Sequence, residues 1–310
     1  MTPTRERLAL RAKNELRRHA VRLAITGILG LLSIRSVLAT TGGEPSVPLD
    51  DAFIHFQYAR SFWEGRGFAY TPGAEPAPGA TSLLWPLLLA VPYGLGLRGE
   101  LVIWAAWSFG WISLLALGYE TRRASERLLS SDGALAAELM VLTFGGYLWY
   151  ATSGMEVVPL GWVLMRTARR AAEWAEAEPA ARPKPHELLA LACLGPLVRP
   201  EGVIATLSVA VTLGVHARGK RRLLALPALA LALLPSFVHR LFTGHGTTTT
   251  ALVKWLPLNP YVDGGTLAQT ILENVKLLFG TLLDGEIWSA VFLPQGSSVL
   301  LWPALPALAV

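Results

Sequence analysis

Charged residues are scarce in this chain of 310 residues, and cysteine is almost absent. Asp, Glu, Lys and Arg together make up 16% of the sequence, whereas soluble domains usually contain about 25%. The single cysteine, Cys193, excludes a disulfide framework and any metal site built from several cysteines. Hydrophobic residues make up 52% of the chain. This composition predicts an integral membrane protein rather than a soluble domain.

A continuous basic surface is also missing. The chain has 27 basic and 22 acidic residues, a net charge of +5, but the basic residues form short clusters between apolar runs. Proteins that bind nucleic acid concentrate their basic residues on one face or along one helix. We therefore expect membrane lipids, and no nucleic acid, among the partners of this chain.

The N-terminus predicts the orientation in the membrane. Residues 1–22 carry seven basic residues against two acidic ones, and an apolar run follows at 23–39. Because basic segments are retained in the cytoplasm, we expect a cytoplasmic segment at 1–22 and one multi-pass membrane domain over 23–310 in the plasma (inner) membrane. The sequence Val37-Leu38-Ala39 resembles a signal-peptidase site. Cleavage there is the alternative to the retained anchor that we expect.

Further apolar runs predict an all-α polytopic protein. They lie near 83–97, 101–119, 134–152, 157–165, 187–198, 203–216, 223–242 and 287–310. Several are shorter than the roughly 20 residues that cross a bilayer, and prolines within them predict kinked or broken helices. The last run has no polar tail, so we expect the sequence to be a fragment, truncated at its C-terminus.

Charge divides the loops between two sides. The basic clusters at 122–127, 166–170, 182–184 and 218–222 are expected in the cytoplasm, together with the loop 171–186. The acidic loop 41–82, the loop 243–286 and the turns at 152–156 and 199–202 then lie outside. Two apolar runs between 83 and 120 must make one net crossing, so we expect 83–97 to be re-entrant or to lie on the membrane surface. The alternative places the cluster at 122–127 outside.

The loop 41–82 contains the most informative pattern. Asp50 and Asp51 precede an aromatic-rich segment that ends before Gly65. This predicts an interfacial helix over 52–64 with Asp51 as its N-cap. The aspartates have two interpretations: a helix cap with a solvated neighbour, or a general base whose proton affinity is set by the adjacent carboxylate and the helix dipole. His55 lies one turn beyond Asp51 and can hydrogen-bond to it.

The residues that follow make the chain similar to a known superfamily. The stretches Asp50–Arg60, Gly65–Gly67, Thr71–Gly73 and Gly79–Trp85 resemble the first external loop of the GT-C membrane glycosyltransferases, particularly the bacterial terminal arabinofuranosyltransferase and mannosyltransferase-like group. Ser153–Glu156 resembles the S-G-M-E turn of that group, and Arg199–Gly202 resembles its R-P-E-G motif. Gly244–Lys254 stands where members have a P-N-T…K stretch, although threonines replace P-N-T here.

The resemblance implies a fold and a reaction. The fold is a GT-C-type multi-helix bundle whose long first external loop carries an interfacial helix. The reaction is inverting transfer of a hexose or pentose from a polyprenyl-phosphate sugar to a hydroxyl of a glycan or lipid acceptor. Asp50 is the expected base and Asp51 its helper. A divalent cation, Mg²⁺ or Mn²⁺, serves some members and not others; if one is used, these two aspartates are the expected ligands. The expected substrate-binding residues are His55, Glu156, Arg199, Glu201 and Lys254.

Other functions remain open at this stage. Broken helices and charges within apolar segments are also found in transporters and flippases of lipid-linked substrates, although no internal repeat is visible. A non-catalytic, degenerate homologue is a second alternative. Arg199 has a structural interpretation as well, because an ion pair with Glu156 or Glu201 would satisfy its charge without any substrate.

Overall fold

The computed structural model describes residues 3–179, 181–248, 255–259 and 261–283. Within these residues the chain forms α-helices and short 3₁₀ turns, with a single isolated β-bridge and no strand. The α-helices are α1 (Pro3–Thr40), α2 (Asp50–Trp63), α3 (Leu84–Gly94), α4 (Val102–Ser125), α5 (Ser131–Thr143), α6 (Gly145–Ala151), α7 (Val157–Glu176), α8 (His186–Val198), α9 (Val203–His216), α10 (Ala225–Ala230), α11 (Leu234–Thr243) and α12 (Leu267–Leu283). The predicted all-α class is confirmed.

Three helical segments are long and apolar enough to cross a membrane: His19–Thr40, Gly99–Ser125 and Gly219–Thr243. The pair α5 and α6 makes a fourth candidate if the two helices, which are bent by 51° relative to each other, form one broken span. The chain is therefore a helical membrane protein by length and composition. Helices α3, α8 and α9 are apolar but shorter than these spans. Pro92 and Pro196, where the sequence predicted kinked or broken helices, lie inside the continuous helices α3 and α8.

Three clusters of buried residues form the core of the described part of the chain. The largest one joins α2, α3, α4, α6 and the start of α7, with Trp85, Trp107 and Leu114 among its fully buried side chains. The second joins the end of α7 to α8, α9 and α10 around Trp174 and Leu213. The third is small and joins Val163 on α7 to Leu191 and Val198 on α8. All three clusters use α7, so this helix connects the parts of the core.

The basic clusters meet at one end of the helices, which we call the basic end. Glu120 on α4 is 1% exposed and pairs with Arg166 and Arg169 on α7. On α8, Glu187 pairs with Arg166 and Arg170. Glu138 on α5 pairs with both Arg22 and Arg122, and Arg182 donates to the His216 carbonyl. The predicted grouping of these clusters on one side agrees with this arrangement, while the side of the membrane that they face stays a prediction.

Three element boundaries differ from the predictions. The helix of the first loop begins at Asp50, not at 52, and its N-cap is Leu49 without a side-chain cap, so Asp51 is not the cap. The predicted loop 171–186 is shorter because α7 continues to Glu176, where Arg169 and Arg170 pair with Glu173 one turn away. The predicted loop 243–286 contains α12.

Helix α3 is short and packs on α2. Its first turn contacts the turn before α7, because the Trp85 indole donates to the Gly154 carbonyl at 2.9 Å. Its last residue, Gly94, lies against the ring of Trp63 at the end of α2. Eleven residues of α-helix span only about 16 Å, half of the bilayer's hydrocarbon core. The length of α3 therefore agrees with the prediction that 83–97 does not cross the membrane.

Candidate functional site

Three separated parts of the sequence meet at the end of the bundle opposite the basic end, which we call the site end. They are helix α2 with His55, the turn 152–156 between α6 and α7, and the turn 199–202 between α8 and α9. Each turn is fixed by contacts that the local sequence makes possible. These contacts bring four of the predicted site residues together.

Two tryptophans fix the turn 152–156. The Trp107 indole donates to the Thr152 carbonyl at 2.6 Å, and the Trp85 indole donates to the Gly154 carbonyl at 2.9 Å. Gly154 has φ of +79°, a conformation that glycine adopts without a steric cost. A Cβ atom there would lie 3.0–3.1 Å from Val47, Ala52 and Phe56. The turn therefore packs directly against α2.

Close backbone contact fixes the turn 199–202. A Cβ atom on Gly202 would lie only 2.0 Å from the Gly195 carbonyl oxygen, so the two glycines allow the end of α8 and the start of α9 to touch. The Leu83 amide donates to the Leu197 carbonyl at 3.2 Å and joins this turn to the start of α3. Arg199 is extended, with φ of −156°, and its side chain leaves the α8–α9 joint toward the turn 152–156.

An ion-pair cluster results. Arg199 Nη1 donates to Glu156 Oε1 at 3.0 Å, and Arg199 Nε and Nη2 each donate to Glu201 at 3.2 Å. His55 Nε2 lies 3.3 Å from the other Glu156 oxygen, Oε2. The Glu156 side chain is fully buried, that of Arg199 is 21% exposed and that of Glu201 is 58% exposed. The cluster therefore runs from the core toward the surface.

Burial changes the protonation of the two innermost groups. Loss of solvation raises the pKa of Glu156 to about 7, although the positive charge of Arg199 opposes the shift. Loss of solvation, together with the charge of Arg199, lowers the pKa of His55 to about 4, and the charge of Asp51 opposes that shift. Near neutral pH the imidazole is therefore neutral, and Glu156 is present in both its protonated and its ionised form.

The inner part of the cluster has unused hydrogen-bonding capacity. Glu156 Oε2 and His55 Nδ1 are buried and have no hydrogen-bond partner among the described residues, since the 3.3 Å contact between the two side chains lacks hydrogen-bond geometry. A guanidinium has five N–H donors, and the contacts to Glu156 and Glu201 use three of those of Arg199. Within the described ranges of the chain, its two remaining donors are therefore available to an anion.

The predicted catalytic aspartates lie beside this cluster. Asp50 and Asp51 form the exposed first turn of α2, and the Asp51 amide donates to Asp50 Oδ1 at 3.0 Å. The predicted hydrogen bond between His55 and Asp51 is wrong, because the imidazole turns into the core toward Glu156 while Asp51 stays in solvent. The α2 helix dipole stabilises negative charge at this terminus.

Two of the predictions about the site concern Lys254 and a divalent metal ion. Lys254 lies outside them. No group of three or more His, Cys, Asp or Glu side chains in the described part of the chain is placed to hold a metal ion. Asp50 and Asp51 thus supply two carboxylates without a third protein ligand in that part of the chain.

Sequence reasoning did not assign a role to the two tryptophans. Trp85 belongs to the Gly79–Trp85 stretch, so its motif was a usable signal for the hydrogen bond to Gly154. Trp107 lies in an apolar run, and nothing in the local sequence distinguishes it from the other tryptophans. Only the tertiary structure identifies it as a support of the turn 152–156.

The sequence matches no protein-family model, and no curated protein is significantly similar to it. No solved structure matches the fold either. The site must therefore be interpreted from its own geometry.

Proposed function

We propose that the chain is a GT-C-type membrane glycosyltransferase that transfers a sugar from a polyprenyl phosphate to an acceptor hydroxyl. The proposal rests on one observation: three segments bring their predicted site residues together at one end of the bundle. These residues are Asp51 and His55 on α2, Glu156 in the turn before α7, and Arg199 with Glu201 in the turn before α9. These residues come from three segments that are distant in sequence, and each segment resembles a motif of that superfamily. Convergence of three such motifs on one cluster supports a shared function.

The aspartates at the start of α2 supply the general base in this proposal. Asp50, or Asp51, accepts the proton of the acceptor hydroxyl as its oxygen attacks the anomeric carbon. The bond from that carbon to the lipid phosphate oxygen breaks, and its electron pair goes to the phosphate. Attack opposite the leaving group inverts the anomeric centre. The exposed carboxylates stabilise the positive charge that develops on the sugar ring.

Arg199 is the group proposed to contact the phosphate. Its guanidinium is planar and permanently charged, and it contacts phosphate with two parallel hydrogen bonds where space permits. Glu156 and His55 are positioning residues in this proposal, since both lie behind Arg199 in the core. Glu201, which is exposed, is the carboxylate that an incoming phosphate displaces.

Transfer of labelled sugar from a panel of polyprenyl-phosphate sugars to membrane extracts tests the proposal, using the purified full chain. Arg199→Gln should weaken donor binding, measured on the same preparation, by about tenfold or more, because a hydrogen bond to a charged group contributes about 1.5–3 kcal/mol. Arg123→Gln removes the same charge at the basic end, where the exposed Arg123 pairs with the half-buried Glu126, and should leave binding unchanged. If the wild-type protein moves the lipid across liposome membranes without transferring sugar, the chain is a flippase and the glycosyltransferase proposal is wrong.

A further inference from the structure

Carboxylates outnumber cations in the three segments that form the ion-pair cluster. Residues 50–56, 152–156 and 199–202 contain four carboxylates and one guanidinium: Asp50, Asp51, Glu156, Glu201 and Arg199. With every carboxylate ionised and His55 neutral, four negative charges stand against one positive charge, a net charge of −3. Like charges repel, so this excess opposes the approach of a phosphate to Arg199. Loss of one negative charge from the cluster would favour phosphate binding.

Glu156 is the carboxylate whose surroundings favour the neutral form. Its side chain has no exposed surface, whereas both aspartates and Glu201 are open to solvent. A buried carboxylate keeps its charge only while a cation lies close to it. Arg199 is that cation, through the 3.0 Å hydrogen bond from Nη1 to Oε1. The other oxygen, Oε2, has no hydrogen-bond partner among the described residues, so it can take a proton without loss of the bond to Arg199.

Few other charges act on Glu156. His55 on α2 lies 3.3 Å from Oε2, and Glu201 lies on the far side of Arg199. Helix α6, the first two turns of α7 and the first three turns of α9 contain no charged residue, and α3 and α4 contact the turn through two indoles. The other charged groups on the elements packed around the turn are exposed: Arg35 on α1, Glu44 in the loop after it, and Asp51 on α2. Arg199 is therefore the charge that keeps Glu156 ionised.

We infer that Glu156 takes up one proton when a phosphate binds to Arg199. The inference rests on the proposed function, because the phosphate is that of the proposed lipid donor. A bound phosphate places its negative charge beside Arg199 and weakens the attraction that keeps Glu156 ionised. A proton then passes from the solvent to Oε2. The phosphate brings one negative charge and the proton removes one, so the net charge of the cluster does not change.

Proton uptake also suits the reaction as it proceeds. The phosphate of the donor is a diester with one negative charge, and the leaving group is a monoester, whose second pKa is about 6. A neutral Glu156 leaves the charge of Arg199 to the phosphate while the negative charge of the phosphate increases. Burial already brings the pKa of Glu156 to about 7, and a further negative charge nearby raises it. Glu156 thus acts through Arg199, as a positioning residue.

Titration calorimetry measures the uptake without requiring sugar transfer. The probe is the methyl ester of a short-chain polyprenyl phosphate, a diester whose single charge does not change near neutral pH. It is titrated into the purified full chain at about pH 8, in buffers that differ in ionisation enthalpy, where linkage predicts uptake of about one proton. Binding should also weaken as pH rises above 7, by up to about tenfold per pH unit.

The matched variants are Glu156→Gln and Glu138→Gln. Glu156→Gln has the shape of the neutral carboxyl and cannot take up a proton, so it should bind the diester with heats that do not depend on the buffer and with a Kd that does not depend on pH. Glu138 is also buried and pairs with Arg122 at the basic end, at 3.2 Å, so Glu138→Gln should take up the proton as the wild type does. A purely structural role of Glu156 would lower affinity without removing the pH dependence.

The wild-type titration alone can overturn the inference. Heats of wild-type binding that do not depend on the buffer would do so, even if neither variant folds, and so would proton uptake by Glu156→Gln. Proton-linked binding of the diester without sugar transfer from any donor would leave the inference intact and count against the glycosyltransferase alone. Sugar transfer by a protein that binds the diester without proton uptake would do the reverse.

Discussion

Arg199 is shared between two carboxylates with very different surroundings. Glu156 is fully buried and Glu201 is largely exposed. An exposed ion pair contributes about 0–1 kcal/mol to stability, whereas a buried charge that loses its partner costs about 3–5 kcal/mol. The pair with Glu156 therefore fixes the orientation of the guanidinium, and the pair with Glu201 can be exchanged for another anion at small cost.

His55 and Glu156 respond to pH in opposite directions. Because burial lowers the pKa of His55 from 6.5 to about 4, folding releases its proton in this range, and its contribution to stability is lost as pH falls from 6.5 toward 4. Because burial raises the pKa of Glu156 from 4.5 to about 7, folding takes up a proton there, and its contribution is lost as pH rises from 4.5 toward 7. The two effects oppose each other in the wild type.

Single substitutions should separate these two effects. His55→Gln removes the His55 effect, so its melting temperature relative to wild type should fall as pH rises from 4 to 6.5. Glu156→Gln removes the Glu156 effect, so its melting temperature relative to wild type should rise as pH rises from 4.5 to 7. Over its pH range each relative melting temperature should change by several degrees, since about 1 kcal/mol changes the melting temperature by roughly 2–4 °C in domains of about 150–250 residues. Thermal unfolding in detergent across this pH range measures it; parallel curves for all three proteins would contradict the assignment.

The aspartate pair gives a second prediction at the residue scale. Asp50→Asn keeps the size of the side chain and removes its ability to accept a proton at neutral pH. A general base contributes about 10²–10⁴-fold, so kcat should fall by that factor while donor binding changes little. Asp51→Asn identifies which carboxylate acts, and Asp132→Asn in the first turn of α5 is a matched control near the basic end. Near-normal transfer by both Asp50→Asn and Asp51→Asn would show that the pair only stabilises the start of α2.

Close contacts between elements place the site residues more than any local motif does. The proximity of Arg199 and Glu201 was predictable from a spacing of two residues. The contact from Arg199 to Glu156 spans 43 residues and was one of two open alternatives in the sequence. It depends on the meeting of α8 and α9 at Gly195 and Gly202, which no pattern of polarity reveals. The predicted start of α2 was also wrong, because Leu49 rather than an aspartate precedes the helix.

The glycine contact gives a prediction at the scale of the element. Gly202→Ala should lower the free energy of unfolding by about 1–3 kcal/mol, because its Cβ would overlap the Gly195 carbonyl and force α8 and α9 apart. Donor binding should fall with it. Gly214→Ala is the control within α9, where Cβ would lie 3.7 Å from Ala225, and should stabilise the helix by about 0.5–1 kcal/mol. Denaturation of both variants in detergent measures the difference, and equal stabilities would exclude a close contact at Gly202.

At the scale of the whole molecule, the charge pattern was more predictable than the helix lengths. The grouping of the basic clusters followed from their alternation with apolar runs. The extension of α7 to Glu176 was missed because its Ala- and Glu-rich residues resemble a solvated linker. The ion pair between Glu176 and Arg127 and the burial of Trp174 hold this extension against its neighbours, and Arg127 lies in a distant part of the sequence. Local composition therefore did not show that the segment was anchored.

Topology is testable with single cysteines in a chain whose native thiol is removed by Cys193→Ser. Thr71→Cys and Glu201→Cys lie at the site end and should react with an impermeant thiol reagent on intact cells. Lys184→Cys lies near the basic end and should react only after lysis, because basic segments stay in the cytoplasm. All three positions are exposed. Reaction of Lys184→Cys on intact cells, with Glu201→Cys unreactive, would show that the orientation is the opposite of the predicted one.

The ion pairs of the basic end give its arginines a second expected role, in membrane insertion. Arg166, Arg169 and Arg170 pair with Glu120 on α4 and Glu187 on α8 once the helices are packed. Before packing, the same arginines are unpaired, and the positive-inside rule predicts that they keep their end of each hairpin in the cytoplasm. We therefore expect the charges that orient the helices to join them afterwards. A helix inserted in the opposite orientation would leave Glu120 buried without its cations.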